Sequence, residues 1–332
     1  MISSARTPIR RSRRPVLTAA TAVLAIVLVA VGIGSAEATT SSRSESATGA
    51  THPGPNGSPC ALASVPPRAL QHPNHAPTAR PLLRRLASRL RPQPSDAEVG
   101  RFAFARLEMK AADSTFEGPC VVTVMAHADE QRWRADDGSG QVTGTPWHTD
   151  PTDPPAVETT VYRAGELRGV VPGPVPTDPA ALAAALDSAY PPVDITAAAQ
   201  VRPLRAAENV RQIRHTGTAA RVRAIAELNA WHYTNKAARR AVLLVLADVH
   251  RLVYRGSVAG YPGAIAVSVD TADWRDVLVL DPRTGAVLAY EQVLLRNGQQ
   301  LGVRTPYMNA RTVYTGCGRS PRAGVAPSAR PQ

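Results

Sequence analysis

An uncharged apolar run near the start constrains this chain more than any other feature. Residues 15–36 contain no charged side chain, and residues 1–15 hold five arginines and no acid. As a helix rising 1.5 Å per residue, residues 16–36 would extend about 30 Å, the thickness of a bilayer hydrocarbon core. Because basic flanks stay in the cytoplasm, we expect residues 1–15 to be a cytoplasmic basic tail and the rest of the chain to lie outside.

The same segment also fits a secretory signal. Ala36-Glu37-Ala38 matches the small-residue pattern of a cleavage site, although the apolar run exceeds the usual length of about 7–15 residues. Residues 16–36 are therefore either a transmembrane anchor or a signal segment, and the protein is secreted if it is cleaved near Ala38. Both alternatives predict an oxidising compartment outside the cytoplasm.

The distribution of charge argues against a nucleic-acid partner. The formal net charge is +12, but residues 81–316 hold 27 basic and 24 acidic side chains, so most of the excess lies outside this region. A nucleic-acid-binding domain should carry a basic face of its own. With 332 residues and 44% apolar content, the chain is long enough to bury a sizeable core.

Composition divides the extracytoplasmic part into three regions. Residues 37–81 are rich in Ser and Thr and contain eight prolines, which predicts a disordered, extended tether. Residues 82–316 carry the patterns of secondary structure, and residues 317–332 are predicted to be a disordered tail. The tether would hold the domain away from the membrane.

Within residues 82–316 the order is strands, then helices, then strands. Alternating and β-branched segments predict strands over residues 102–162 and 252–315. Asp178 before Pro179 predicts the start of a helix, and further helices are expected over residues 203–217, 219–233 and 236–249. This order predicts an α+β domain in which an antiparallel sheet has several helices packed on one face.

Five short motifs occur in a fixed order along the domain. They are WRADDGSG at 133–140, PTDPAAL at 176–182, AVLLVLADV at 241–249, GYPG at 260–263 and DPRTG at 281–285. In that order they resemble an uncharacterised family of single-pass membrane-anchored proteins from high-GC Gram-positive bacteria. The resemblance covers about residues 100–316. It implies an extracytoplasmic domain of unassigned function and supplies no catalytic residues.

The three cysteines allow three disulfide pairings. Cys120 adjoins one predicted strand and Cys317 follows another, whereas Cys60 lies in the predicted tether. We therefore predict a Cys120–Cys317 disulfide, with Cys60 left over. Free thiols are the alternative.

Other chemistry-bearing residues give weaker patterns. Residues 201–223 are rich in arginine and contain a single acid, Glu208. This pattern predicts an anionic ligand site, and a solvated helical face is the alternative. The predicted site residues are Arg202, Arg205, Arg211 and Arg214. His127 and Asp129 form half of a metallohydrolase motif, but Met125 occupies the first ligand position. No catalytic residue, metal or cofactor is predicted. Four aspartates are expected to hydrogen-bond within turns rather than to catalyse glycoside hydrolysis, namely Asp270, Asp273, Asp276 and Asp281.

These observations predict a non-enzymatic, membrane-tethered extracytoplasmic module that binds or senses an unassigned ligand. Residues 16–36 would contact the membrane, and an envelope protein, a lipid or an anionic polymer would be the partner. Helices over an antiparallel sheet could leave a groove, as in lipoprotein-carrier-like half-barrels, although this is an analogy at the level of the fold. The alternative function is a cell-envelope hydrolase that acts on wall polymer.

Overall fold

A computed structural model of the chain describes residues 62–117, 120–150, 152, 155–167, 169–189 and 218–327. Within this part the fold is α+β, with one nine-stranded antiparallel sheet and four α-helices. The predicted α+β class with an antiparallel sheet is therefore confirmed. The predicted helix over residues 203–217 lies outside the described residues.

Nine strands form the sheet in the spatial order β4-β3-β2-β1-β9-β8-β7-β6-β5. The strands are β1 (Phe102–Glu117), β2 (Cys120–Ala135), β3 (Gly140–Gly144), β4 (Glu158–Tyr162), β5 (Val253–Gly256), β6 (Ile265–Asp270), β7 (Trp274–Leu280), β8 (Val287–Leu294) and β9 (Tyr307–Ser320). Strands β1–β4 follow one another along one half of the sheet, and β5–β8 do so along the other half. The last strand, β9, lies between β1 and β8 and joins the two halves.

Side chains of the central strands alternate between two buried faces. On the helix face, Leu278 and Tyr290 belong to the main hydrophobic core together with residues of the helices. On the opposite face, here called the outer face, Val277, Val279 and Ala289 form a second apolar cluster. Because successive residues of a strand point to opposite sides, two buried faces require an almost continuous apolar run. The sequence of β7 provides this run at its carboxyl end.

The four helices are α1 (Arg80–Ala87), α2 (Pro179–Ala189), α3 (Thr218–Trp231) and α4 (Lys236–Ala247). Helix α3 lies against the sheet, and seven of its side chains are buried. Asp178 accepts a hydrogen bond from the Ala181 N–H at 2.8 Å, and Asn235 accepts one from Ala238 at 2.9 Å. Both side chains satisfy donors that a helix leaves free at its amino end, so the predicted start at Asp178 is confirmed.

Residues 62–79 form a segment that we call the N-terminal strap. Its backbone pairs with distant parts of the domain: the Ala63 N–H donates to Gly302 O, the Gln71 N–H to Ser257 O and the Ala79 N–H to Leu252 O, each at 3.0 Å. Leu70 and Thr78 form antiparallel bridges beside β5. The predicted boundary of the tether is therefore wrong, because the domain begins before residue 82. The prolines do not prevent docking, since other residues of the strap supply the donors.

The carboxyl end of the chain is also more ordered than predicted. Strand β9 continues to Ser320, and the Trp133 Nε1–H donates to the carbonyl of Val325 at 3.0 Å. The prediction of a disordered tail is therefore wrong for residues 317–327. No helix of the described part is long and apolar enough to cross a membrane. The predicted membrane segment, residues 16–36, lies outside that part, as do residues 328–332.

Candidate functional site

A cavity of about 430 Å³ lies between the N-terminal strap and the outer face of the sheet. Val277, Val279 and Val293 form its floor, and strap residues Arg68 and Leu70 line the opposite side. Small-molecule sites in proteins are usually apolar clefts of about 300–1,000 Å³ with a few polar groups. The cavity therefore has the size and the composition of a small-molecule site.

The strap is held to the domain on both sides of this cavity. On one side the Met308 N–H donates to Val65 O at 2.9 Å, and on the other the Ala259 N–H donates to Ala69 O at 3.0 Å. Residues 66–68 span the distance between these two attachments. The pocket consequently exists only when the strap is docked, because its floor and roof come from parts of the chain about 200 residues apart.

Glu291 is the carboxylate that lines the pocket, and it is only 4% exposed. Its Oε1 accepts the backbone N–H of Arg68 at 3.0 Å, and its Oε2 accepts from Nε of Arg311 at 2.7 Å. Arg311 also forms an ion pair with Glu291. Charged hydrogen bonds of this kind offset the cost of burying a carboxylate. Glu291 therefore fastens the strap to the sheet.

Arg68 lines the pocket without an acidic partner. Its guanidinium lies over the ring of Tyr261, with Cζ 4.3 Å from the ring centroid. This guanidinium donates to no acceptor among the described residues, and its Nη1 is buried. A buried charged donor without an acceptor is costly, by about 1–3 kcal/mol or more. Arg68 is thus a positive group whose hydrogen-bonding capacity the described protein does not use.

A second cationic group, Arg275, lies at the pocket beside a shared carboxylate. Asp270 accepts two hydrogen bonds from Arg275, both at 2.8 Å, and one from Arg255 at 2.9 Å. Partial burial raises the pKa of Asp270, but the hydrogen bonds and charges of the two arginines outweigh burial and lower it. Because two guanidinium groups share one carboxylate, positive charge exceeds negative charge at this side of the pocket.

The predicted Cys120–Cys317 disulfide is wrong. Cys317 is a free thiol, whereas Cys120 is disulfide-bonded to a partner outside the described residues. In the sheet, Ala105 pairs with both Cys317 and Arg132, and Cys120 lies twelve residues from Arg132 along β2. At about 3.3 Å per residue this is about 40 Å, whereas a disulfide requires Cα atoms within about 7 Å.

The predicted anionic ligand site at Arg202, Arg205, Arg211 and Arg214 lies outside the described residues. His127 pairs across the sheet with His148, and their ring centroids are 6.2 Å apart. Burial and the charges of Lys110 and His148 lower the pKa of His127. In the described ranges, no three His, Cys, Asp or Glu side chains are arranged to hold a metal ion.

The four aspartates between residues 270 and 281 have different roles. Asp281 accepts from the Arg283 N–H at 2.8 Å and from the Thr284 hydroxyl at 2.6 Å, which confirms a role in the turn. Asp276 is fully buried on the helix face and accepts from the hydroxyl of Tyr290, so its predicted turn role is wrong. Burial and the Asp276 charge raise the pKa of Tyr290 well above its usual value.

The pocket residues did not stand out in the sequence. Glu291 is the one acid of strand β8, and Arg68 follows two prolines in a segment that composition assigns to a tether. The one usable signal was an acid within a mostly apolar strand, since a buried charge needs a partner. No protein-family model matches this chain, and no curated protein sequence matches it either.

Proposed function

We propose that this chain is a non-enzymatic, membrane-tethered extracytoplasmic module that binds or senses a small ligand in the pocket beneath the N-terminal strap. The observation that carries the proposal is the cavity of about 430 Å³ with an apolar floor and few polar groups. The membrane segment at residues 16–36 and membership of the family named above are part of the same proposal.

The cysteines support the extracytoplasmic location. Cys120 is disulfide-bonded, and disulfides persist in oxidising compartments but are rare in the cytosol. This agrees with an arginine cluster followed by an apolar segment, which predicts export of the following chain. The location can be tested with a reporter that is active only outside the cytoplasm, fused after residue 61. We expect activity, and an inactive, cytosolic reporter would contradict the location.

The polar groups of the pocket favour binding over hydrolysis. Hydrolysis of a wall polymer would need convergent carboxylates or a nucleophile beside a base. Here the carboxylate lining the pocket, Glu291, already accepts hydrogen bonds from Arg68 and Arg311. Among the described residues that line the pocket there is no second carboxylate and no Ser, Cys or His, so neither arrangement is present there.

The strap gives the proposed sensing role a physical route. It is the described segment nearest in sequence to the predicted membrane segment, and it forms the roof of the pocket. A ligand that contacts both floor and roof would stabilise the docked strap by mass action. Occupancy of the pocket would thereby change the conformational freedom of the chain that leads to the membrane.

The experiment that tests binding compares full-length protein extracted from the cell envelope with a filled-pocket variant. Val277→Phe extends a ring from the floor into the cavity, and Val161→Phe, on the exposed edge strand β4, is the matched control. In native mass spectrometry we expect a small-molecule adduct on the wild-type and Val161→Phe proteins. Its occupancy should fall at least tenfold in Val277→Phe.

A second pocket variant, Val293→Phe, guards against misfolding of the first. Each variant is accepted only if its melting temperature lies within a few degrees of the wild-type value. Identical adducts on a folded Val277→Phe or Val293→Phe protein would overturn the proposal.

A further inference from the structure

The floor of the pocket is apolar over the width of two strands. Val277 and Val279 on β7 and Val293 on β8 contribute branched hydrocarbon surface, and Leu70 and Val258 add further apolar lining. Apolar surface that leaves water on binding stabilises a complex. A ligand that fills this space must therefore present a hydrocarbon body to the strands.

The charges at the pocket are not balanced. Glu291 is neutralised by Arg311, and Asp270 is shared by Arg255 and Arg275. Arg68 has no acidic partner in the described ranges, and no hydrogen bond there uses its guanidinium. The pocket as a whole consequently carries an excess of positive charge next to its apolar floor.

Arg68 is also held in place, which makes it suited to recognition. Its backbone N–H is fixed to Glu291, and its guanidinium rests on the Tyr261 ring. A cation that is already positioned loses little conformational entropy when it meets an anion. A planar guanidinium also binds carboxylate oxygens in pairs, which a lysine cannot do.

From these observations we infer that the pocket takes a small anionic amphiphile: a hydrocarbon body that packs on the valine floor and a single anionic head group beside Arg68. The inference rests on the proposed function, and it names the ligand class of the same site. A neutral or cationic amphiphile of equal length would fill the floor but would leave Arg68 without an anionic acceptor.

The test measures binding of three probes that share one hydrocarbon chain. Radiolabelled octanoate, octan-1-ol and octylammonium are dialysed to equilibrium against the full-length protein in nanodiscs of zwitterionic lipid, with empty nanodiscs subtracted. We expect saturable binding of about one octanoate per chain. Octan-1-ol and octylammonium should bind at least tenfold more weakly, because neither offers an acceptor charge to Arg68.

Variants of Arg68 connect this preference to one side chain. Arg68→Met keeps the backbone hydrogen bond and much of the side-chain volume, and it should weaken octanoate at least tenfold without changing octan-1-ol. Arg68→Lys retains the charge and should retain part of the affinity. Arg85→Met, at an exposed position of helix α1, is the matched control and should leave octanoate binding unchanged.

The outcomes separate this inference from the proposed function. Equal affinity for octanoate and octylammonium, or unchanged octanoate affinity in Arg68→Met, would overturn the anionic ligand class. So would a lack of octanoate binding while Val277→Phe still removes the native adduct. Failure of the proposed function has a different signature, namely the same native adduct on the wild-type and the folded filled-pocket proteins.

Discussion

Asp96 joins three parts of the fold through one carboxylate. It accepts from Arg239 at 2.8 and 2.9 Å, from the Tyr233 hydroxyl at 2.7 Å and from the Gln93 N–H at 2.7 Å. Arg239, only 1% exposed, also donates to Thr284 O in the turn before β8. Burial raises the pKa of Asp96, but these hydrogen bonds and the Arg239 charge outweigh it and lower the pKa to about 2.

We predict that Asp96→Asn lowers the free energy of unfolding by about 3–5 kcal/mol, because it leaves the buried Arg239 charge uncompensated. Urea denaturation at pH 7 measures the change. Asp248→Asn, which removes an exposed carboxylate paired with Arg84, should cost less than about 1 kcal/mol. Equal losses in the two variants would contradict a special role of Asp96.

A buried histidine makes stability depend on pH. His232 is 6% exposed and lies beside Arg134, with Nδ1 3.2 Å from Nη1 of the arginine. Burial and the Arg134 charge lower the pKa of His232 from 6.5 to about 3. Because the folded pKa is below the unfolded pKa, the unfolded state binds the proton first as the pH falls. The contribution of His232 to the free energy of unfolding is therefore fully present above about pH 6.5 and is lost as the pH falls toward 3.

Between pH 6 and pH 4 this one residue should contribute a slope of about 1.4 kcal/mol per pH unit to the unfolding free energy. His232→Gln removes the titration. Urea unfolding of both proteins across this range should show a shallower dependence for the variant by that amount. Parallel pH profiles would refute the assignment, whatever the absolute stability of the variant.

Local signals predicted most elements of the fold. Asp178 and Asn235 mark the starts of α2 and α4 because each side chain caps its own helix. The turn at residues 281–285 was also predictable, because Asp281 bonds to residues two and three positions away. These interactions depend on neighbours in the sequence, which a pattern can reveal.

The remaining features depend on distant partners. The N-terminal strap docks through hydrogen bonds to residues 252–308, and its own composition is that of a linker. The predicted Cys120–Cys317 disulfide was wrong for the same reason, since the positions of these two residues follow from the register of three strands. The pocket lies between the strap and strands that are distant from it in sequence, so local patterns could not predict it.

At the scale of the element, we predict that Leu70→Asp detaches the strap without unfolding the domain. Leu70 packs on the outer-face cluster, and a charge there opposes docking. Hydrogen exchange with mass spectrometry should show at least tenfold faster exchange over residues 63–72, with unchanged exchange in α4. Val99→Asp, at a position 87% exposed, is the control. Unchanged strap exchange in Leu70→Asp would show that Leu70 does not hold the strap.

For the whole molecule, the cysteines predict one free thiol per chain. The sequence has three cysteines, of which Cys120 is disulfide-bonded and Cys317 is free. Alkylation of the denatured, unreduced protein should label one site, and labelling after reduction should reach three. Cys317→Ser should leave none before reduction. Two or three labels in the unreduced wild-type protein would contradict the pairing.

The central position of β9 has a consequence for how the chain matures. Strand β9, which follows all the other described strands in sequence, separates two meanders, β1–β4 and β5–β8, that do not pair with each other. Until residues 307–320 arrive, each meander has an open edge where β9 will insert. Contacts so distant in sequence form slowly because a long loop must close first. A nascent polypeptide of this design stays incompletely assembled until residues 307–320 have been translated, because the two meanders meet only through that strand.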